Sequence, residues 1–198
     1  NKRPDVLRMI LRSYARHIST EAAISTIIAD VRQSNERTMD PKTFDEYMEA
    51  LKDLYILEDL PAWNPNIRSK TSIRSTPTRH FIDTSIACRS LGASPNDLMH
   101  DLESFGFFFE DFAVRDLSIY ANSIGGSVSH YRDNSGLECD AVLHLEDGRW
   151  GALKTLQNKI IEKSEEQAPS FLMVLTATGG AYQREDGVYV APINLLKP

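Results

Sequence analysis

The first part of the chain has apolar residues at helical spacing in three successive stretches. Residues 6–17 form the first, and residues up to 31 form the second, after a Ser or Thr cap at position 19 or 20. The third begins with Asp40 as a cap and Pro41 at the first helical position. Its apolar positions follow an i, i+3, i+4, i+7, i+10 pattern at Phe44, Tyr47, Met48, Leu51 and Leu54. This pattern predicts three helices before residue 55.

Two short extended segments come next, at residues 55–60 and 80–83, with a polar, proline-containing stretch between them. Three helices followed by a β-hairpin is the element order of a winged helix. We therefore expect a winged-helix domain over about residues 1–78. The stretch between Pro61 and His80 would be its wing.

The rest of the chain alternates between helical and extended patterns. One helix is expected to open at Ser94 and to stop at Gly106, and a longer one follows from about residue 107 to 123. The later segments are a strand at 128–132, a hairpin, a charged helical stretch at 156–167, and strands at 171–176 and 187–193. This order is typical of an α/β domain with a mixed central sheet, which we expect over about residues 79–198.

The hairpin in this second part carries the main candidate chemistry. On its first strand, Glu138 and Asp140 lie two residues apart, so their side chains share a face. An acid on one strand and acid-x-Lys on the next are the minimal set for a metal-dependent phosphodiesterase. The carboxylates bind Mg²⁺, and the lysine positions or activates the attacking water. The second strand reads Ala152-Leu153-Lys154, so alanine stands where the second acid is expected.

The net charge of −6 is distributed unevenly. Up to residue 80 there are 13 Lys and Arg against 11 Asp and Glu, whereas the remainder has 9 against 17. An acidic protein is poorly suited to non-specific coating of nucleic acid. The expected wing is nevertheless basic, with no acid among its residues and four cations: Arg68, Lys70, Arg74 and Arg79. Positive wing residues commonly meet phosphate, which predicts DNA contact, whereas the acids on the third helix favour a protein-interaction module.

Several classes of site find no support in the sequence. These residues contain no G-x-x-x-x-G-K-[ST] phosphate loop, and the histidines and cysteines lack the spacing of zinc ligands. Cys88 and Cys139 are expected to be free thiols, which suits a reducing cytoplasm. No apolar run approaches the roughly 20 residues of a membrane span and no signal-peptide pattern is present, so we expect a cytoplasmic protein.

An ordered series of short segments resembles a known family. The segments are Ser13-Tyr14-Ala15-Arg16, Ala62-Trp63-Asn64-Pro65-Asn66, Arg68-Ser69-Lys70, Phe81-Ile82-Asp83, Phe109-Glu110, Val114-Arg115-Asp116-Leu117, and Tyr131-Arg132 through Glu138-Cys139-Asp140. Together they are similar to the C-terminal half of a large group of prokaryotic AAA+-type ATPases. In that group a P-loop ATPase domain precedes a winged helix and a domain of unknown function that is similar to PD-(D/E)xK nucleases. The resemblance implies a restriction-endonuclease-like fold for residues 79–198, and it places ATP only in an ATPase domain outside this chain.

The resemblance also implies roles for individual residues. Asp140 would match the metal-binding Asp of the nuclease core, and Glu138 the family's acid two positions earlier. Glu110 would match the acid on the first helix of the core, and Mg²⁺ is the implied cofactor.

At the next landmark, a strand ending in Glu-x-Lys, this sequence departs from the family. One explanation is that Ala152 truly replaces the acid, in which case Mg²⁺ affinity and water activation largely fail. The other, which we favour, is that a segment carrying Glu-x-Lys is absent between Ala152 and Leu153, because no turn residues separate the strand from the helical pattern after it. Lys154 would then be a solvated helical lysine.

Two functions are compatible with these features. In the first, the chain is the DNA-associated, nuclease-like end of an AAA+-type ATPase, with Mg²⁺-dependent phosphodiester cleavage at Glu110, Glu138 and Asp140. In the second, it is a non-catalytic module that docks the parent ATPase to a partner or supports a homo-oligomer, and the acids are structural. Likeness of fold to nucleases does not by itself establish cleavage.

Overall fold

The computed structural model describes residues 2–33, 39–64, 76–133, 136–154 and 169–197. The chain divides into two compact units, Asn1–Asp59 with Thr76–Asp111 and Leu60–Ser75 with Phe112–Pro198. The expected domain boundary at residue 78 falls within the second segment of the first unit. The wing cations Arg68, Lys70 and Arg74 and the helical stretch expected at 156–167 lie outside the described residues.

The first unit begins with three helices, α1 (Pro4–Arg16), α2 (Ile24–Gln33) and α3 (Pro41–Asp53), which confirms the three-helix prediction. Strands β1 (Leu57–Leu60) and β2 (Thr78–Phe81) then pair in a two-stranded sheet. The predicted apolar faces form one core, whose largest fully buried side chains are Ile10, Tyr14, Ile27, Val31, Phe44, Leu51 and Phe81. Leu54, predicted as the last apolar position of the third helix, is instead 67 % exposed. Burying each such side chain contributes about 1.5–3 kcal/mol, so this core holds the helices together.

The helices after β2 differ from the sequence prediction. Helix α4 (Thr84–Leu91) was not predicted; its N-cap is Asp83, whose side chain accepts from the Ser85 N–H at 2.8 Å. Next come α5 (Pro95–His100) and α6 (Leu102–Ser123), and α6 runs through Gly106 without a break. The predicted stop at Gly106 is therefore wrong.

The break between α5 and α6 lies at Asp101 because its carboxylate accepts from both the N–H and the hydroxyl of Ser104, at 3.0 and 2.6 Å. A glycine inside a helix costs only about 1 kcal/mol, which the buried aromatic residues Phe108 and Phe109 offset. Residues of α6 up to Asp111 belong to the first unit and those from Phe112 onward to the second.

The second unit contains a six-stranded sheet. Its strands are β3 (Gly126–Arg132), β4 (Glu138–Leu145), β5 (Trp150–Lys154), β6 (Phe171–Thr176), β7 (Tyr182–Gln183) and β8 (Tyr189–Pro192), in the order β3-β4-β5-β6-β8-β7. The β5–β6 and β6–β8 pairs are parallel, and the others are antiparallel. The predicted α/β class with a mixed central sheet is confirmed.

Residues at the start of the expected wing cover the edge of β3. Ala62 forms a parallel bridge with His130, and the Trp63 N–H donates to the His130 carbonyl at 2.6 Å. This pairing brings the Trp63 ring to 4.6 Å from the Trp150 ring, centroid to centroid. Among the described helices, none combines the length and the apolar composition needed to cross a bilayer.

Candidate functional site

Strands β3, β4 and β5 bring four charged side chains together, Arg132, Glu138, Asp140 and Lys154, which we name the β-sheet charge cluster. Lys154 Nζ lies 3.0 Å from Glu138 Oε1 and 3.6 Å from Asp140 Oδ1. Arg132 Nη1 approaches Glu138 Oε2 at 3.8 Å. The side chains of Lys154 and Asp140 are only 9 % and 13 % exposed, so this pair is largely buried, whereas Arg132 and Glu138 are 40 % and 43 % exposed.

The pKa values in this cluster follow from the pairing. Burial by itself would raise the pKa of Glu138, but the hydrogen bond and charge of Lys154, with the charge of Arg132, bring it below its usual value. Burial would lower the pKa of Lys154, but the charge of Asp140 and the hydrogen bond and charge of Glu138 raise it. Both partners of the Glu138–Lys154 pair are therefore charged at neutral pH, and the protein's own cations balance its carboxylates.

Strand β5 runs without a break through the point where the sequence analysis placed a missing segment. Ala152 pairs with Val142 and Leu172, and Leu153 pairs with Ala141 and Met173, so both residues continue one strand without a shift. An inserted segment would interrupt both ladders. Lys154 ends β5 and is buried, so its prediction as a solvated helical lysine is wrong.

The position of the expected second acid is apolar. Ala152 is 5 % exposed and belongs to a cluster with Val142 and Trp150, against which Trp63 and Leu172 pack. A carboxylate at this position would lose its hydration without gaining a polar partner, which is strongly unfavourable. The surroundings of Ala152 therefore fit alanine and not glutamate.

These residues do not fit the magnesium ion that the resemblance implies. Mg²⁺ needs several oxygen ligands in octahedral geometry. Glu138 and Asp140 are two carboxylates, and each is already in contact with the Lys154 ammonium. Within the described ranges, no group of three or more His, Cys, Asp or Glu side chains could hold a metal ion.

Cys139 lies between the two acids and is buried on the other side of the strand pair. Its thiol donates to the carbonyl oxygens of Leu153 and Ala141, at 3.0 and 3.2 Å. Burial and the charge of Asp140 raise the pKa of the thiol to about 12. It is therefore protonated and unreactive at neutral pH. Cys139 and Cys88 are both free thiols, as expected.

Glu110 and the β-sheet charge cluster belong to different units of the chain. Glu110 is half-buried on the part of α6 that belongs to the first unit, whereas Glu138 and Asp140 belong to the second. The neighbouring Asp111, which the sequence analysis did not single out, is the fully buried acid of this helix.

Asp111 is the centre of a buried hydrogen-bond network. Its carboxylate accepts from the Phe81 N–H at 2.9 Å and the Thr84 hydroxyl at 2.6 Å, and its Oδ1 lies 3.1 Å from His80 Nδ1. On the opposite side of the ring, His80 Nε2 lies 2.9 Å from the Thr78 hydroxyl. The sequence contains a signal for this buried acid. Asp111 follows the buried Phe108 by three residues, and residues i and i+3 lie on the same face of a helix.

Arg79 does not fit its expected role as a wing residue that meets phosphate. Its side chain is 5 % exposed, with Nη1 at 2.9 Å from Asp59 Oδ1 and Nε donating to the Ala22 carbonyl at 3.0 Å. The guanidinium is thus held inside the first unit. The remaining predicted DNA contacts, Arg68, Lys70 and Arg74, lie outside the described residues.

Asp59 gathers three donors. Tyr14 Oη and Lys52 Nζ each lie 2.6 Å from its carboxylate, in addition to Arg79. Burial would raise the pKa of Asp59, but the hydrogen bonds from Lys52, Tyr14 and Arg79 lower it. Burial and the Asp59 charge raise the pKa of Tyr14, so its phenol remains a donor.

Part of the chain matches a family model. Residues 1–97 match the model of a family described as a domain of unknown function (DUF8612). The matched part covers the three helices and the residues up to α5, and the description assigns no activity. No curated protein and no solved structure matches the chain.

Proposed function

We propose that this chain is a non-catalytic interaction module, built on an α/β unit of nuclease-like type that has lost metal-dependent cleavage. One observation carries the proposal: the buried ammonium of Lys154 lies between Glu138 and Asp140, where a catalytic cation would be needed. The apolar surroundings of Ala152, where the second acid is expected, support it.

Because the cations of the β-sheet charge cluster already neutralise its carboxylates, we do not expect phosphodiester cleavage. Phosphodiester hydrolysis of this kind needs a divalent ion held by carboxylates to polarise the phosphate and activate water. Breaking a buried ion pair costs about 3–5 kcal/mol, so a metal would have to displace Lys154 against that penalty. The acids of the β-sheet charge cluster therefore have a structural role, in which their ion pairs stabilise the sheet.

The resemblance supplies the cellular context of the proposal. As the C-terminal part of a prokaryotic AAA+-type ATPase in the cytoplasm, the module would link the ATPase domain to a protein partner or to further copies of the chain. ATP would bind only in that ATPase domain.

Metal binding and cleavage test the proposal directly. We would titrate the chain with Mg²⁺ and Mn²⁺ by calorimetry and incubate it with single- and double-stranded DNA. Asp140→Asn is the test variant; Asp147→Asn, an exposed acid of the same hairpin that pairs with Arg149, is the control. We expect no saturable metal binding and no cleavage by any of the three proteins. Metal-dependent cleavage that persists in Asp147→Asn and disappears in Asp140→Asn would overturn the proposal.

The second candidate is a DNA-associated, Mg²⁺-dependent phosphodiesterase. It is favoured by the convergence of Glu138, Asp140 and Lys154 within 3.6 Å, since these are residue types that the resemblance implies for cleavage. In this candidate the wing cations contact phosphate.

Charge reversal separates the second candidate from the first. We would measure DNA affinity by fluorescence anisotropy, at several salt concentrations, for a triple variant with Arg68→Glu, Lys70→Glu and Arg74→Glu. The matched control reverses three exposed arginines, Arg8, Arg12 and Arg89. Loss of affinity and a shallower salt dependence in the wing variant alone would support DNA contact. Equal behaviour of the two variants would exclude the wing as a DNA-binding surface.

A further inference from the structure

A cavity of about 160 Å³ lies in the second unit, between the later turns of α6 and one face of the sheet. Leu117 and Tyr120 of α6 line one side of it. Leu153 of β5 and Phe171 and Met173 of β6 line the other. This space, which we name the α6–sheet cavity, is therefore mostly apolar.

The strand register builds the sheet side of the α6–sheet cavity. Gly151 pairs with both Leu143 and Phe171, and the next position on the same face pairs Leu153 with Met173. A side chain on Gly151 would collide with the Phe171 ring, so this ring lies directly over the glycine. The close approach holds the aromatic ring against the sheet as part of the cavity lining.

The opening of the α6–sheet cavity carries a positive charge. Leu117 and Leu153 are 4 % and 2 % exposed and mark its inner end, whereas Ile124 is 59 % exposed and marks its opening. Lys197 is exposed and also lines the cavity, where it is the one charged residue among the described lining. Within the described ranges Lys197 forms no ion pair. An unbalanced cation thus lies at the opening of an apolar space.

The volume and the lining of the α6–sheet cavity suit one aromatic ring. Apolar cavities of about 150 Å³ lined by Leu, Ile and Phe bind one benzene molecule. Phe171 and Tyr120 offer rings for stacked or edge-to-face contacts, and the Met173 thioether offers a sulfur–aromatic contact. A ligand of this size would fill the space without displacing the chain around it.

We propose that the α6–sheet cavity binds a small aromatic carboxylate, a monocarboxylic acid that carries one six-membered ring. The ring enters between α6 and the sheet, against Phe171 and Met173, and the carboxylate remains at the opening beside the Lys197 ammonium. Ligand sites commonly combine an apolar lining with a few polar groups that fix the orientation of the ligand. The inference goes beyond the proposed function and does not depend on it.

The chemistry of the lining disfavours other classes of small ligand. An amine would meet the like charge of Lys197, and a neutral ring would leave that charge without a partner. A nucleotide would bring several polar groups against Leu117, Leu153 and Met173, which offer them no hydrogen bonds. A single carboxylate at the opening matches the single cation there.

The methionines of this chain provide a specific reporter of binding. Met173 is the only one in the second unit; the other four belong to the first unit and act as internal references: Met9, Met39, Met48 and Met99. We would label the methionine methyl groups with carbon-13 and titrate the chain with phenylacetate by NMR. We expect a saturable shift of the Met173 signal alone, with a Kd on the order of 1 mM for a ligand of this size.

Two results of this titration would overturn the inference. The first is a Met173 signal that does not respond to phenylacetate, or that responds no more than the four reference methionines. The second is a Met173 signal that shifts on dilution of the ligand-free chain, because a second copy of the chain would then occupy the cavity.

A matched pair of tryptophan substitutions tests the location of the ligand. Leu196 is half-buried and lines the cavity, so Leu196→Trp should fill the space and weaken phenylacetate binding about tenfold or more. Leu195→Trp is the control, because Leu195 is 55 % exposed and does not line the cavity. Circular dichroism verifies that both variants fold. Equal affinities of the two variants would place the ligand elsewhere and overturn the inference.

Charge removal tests the role of Lys197 without changing the apolar lining. Lys197→Gln should weaken binding of phenylacetate about three- to fivefold, the range of an exposed ion pair, and leave the neutral analogue 2-phenylethanol unaffected. Lys42→Gln, an exposed lysine of the first unit, is the control and should change neither. An equal effect of Lys197→Gln on both ligands, or no effect on either, would overturn the assignment of a carboxylate.

The outcome is separable from that of the proposed function. Leu153 and Lys154 are adjacent in β5, so their side chains lie on opposite faces of the sheet, and the α6–sheet cavity is separate from the β-sheet charge cluster. Metal-dependent cleavage would overturn the non-catalytic proposal without changing the phenylacetate result. Conversely, failure of phenylacetate to bind would leave the metal and cleavage results as they are.

Discussion

His80 Nδ1 lies 3.1 Å from Asp111 Oδ1, and neither side chain is more than 5 % exposed. The same carboxylate accepts from the Phe81 N–H and the Thr84 hydroxyl. One acid on α6 therefore satisfies donors from β2 and from the first turn of α4. Strand β2, helix α4 and the part of α6 up to Asp111 all belong to the first unit, and the network joins them.

Replacing Asp111 by Ala should lower the free energy of unfolding by about 3 kcal/mol or more, because it leaves three buried donors without an acceptor. Urea unfolding followed by circular dichroism measures the change. Glu103→Ala, an exposed acid on the same helix, is the control and should cost less than about 1 kcal/mol. Equal effects of the two substitutions would mean that the Asp111 network contributes no special stability.

Tyr55→Gly should raise the free energy of unfolding by about 1 kcal/mol. Tyr55 follows the end of α3 with φ +54°, a left-handed conformation that glycine adopts without steric cost. Its N–H donates to the Lys52 carbonyl and the Ile56 N–H to the Leu51 carbonyl, the pair of bonds that ends a helix in a Schellman motif. Since the Tyr55 side chain is 78 % exposed, little packing is lost.

Leu54→Gly is the matched control for Tyr55, because Leu54 is also exposed but has φ −83°. That substitution should not stabilise the chain. A thermal unfolding midpoint that falls in both variants would contradict the assignment of strain to Tyr55.

Because the pKa of Asp59 is lowered in the folded chain, we predict that the free energy of unfolding depends on pH in the acid range. A carboxyl group whose pKa is lower in the folded chain stabilises it above the pKa of the unfolded chain, and this contribution is lost as the pH falls through the folded value. Asp59→Asn should therefore be clearly less stable than the unmodified chain at neutral pH. The difference should shrink as the pH falls from about 4, where the carboxylate of the unfolded chain becomes protonated, through the lower pKa of the folded chain.

Urea midpoints measured across this pH range test the Asp59 prediction. Asp53→Asn, an exposed acid at the end of α3, is the control and should show a small, pH-independent difference. A constant difference for Asp59→Asn at all pH values would show that its charge is not the source of the stabilisation.

Lys154→Met should raise the pKa of Glu138, because it removes the hydrogen bond and the nearest charge that lower it. Carbon-13 NMR titration of the Glu138 carboxyl group measures the shift directly. Lys154→Met should also destabilise the sheet by about 3–5 kcal/mol, since it removes the buried ammonium that lies 3.6 Å from Asp140. The control is Lys42→Met, on the exposed face of α3, which should neither raise the pKa of Glu138 nor destabilise the sheet. An unchanged Glu138 titration would refute the pairing.

Ala152→Glu should fail to create a metal site, although it restores the Glu-x-Lys pattern. The new carboxylate would be buried beside Val142 and Trp150, at a cost of several kcal/mol, on the order of 3 or more. Arg149→Glu, at an exposed position of the same hairpin, is the control for adding an acid. Saturable Mg²⁺ binding by a folded Ala152→Glu chain would show that only the acid was missing.

Local sequence patterns were sufficient to predict the helices and strands that have a strong hydrophobic periodicity or a clear start or end signal. The Asp40-Pro41 start and the apolar stripe predicted α3, and the apolar run at 171–176 predicted β6 at its observed bounds. Helix α4 has only eight residues and a weak stripe, and it was missed. Propensity alone predicts a helix stop at Gly106, since it does not include the contribution of the buried aromatic residues around that glycine.

The sequence by itself determined the α/β class, the β4–β5 hairpin and the absence of an acid at position 152, because these depend on neighbouring residues. Only the tertiary structure decided which charges are paired, since the partners are distant along the chain. Lys154 meets Glu138 across 16 residues, and His80 meets Asp111 across 31. Whether a lysine lies in solvent or between two carboxylates, and whether an arginine meets phosphate or Asp59, depends on burial and distance that no local pattern contains.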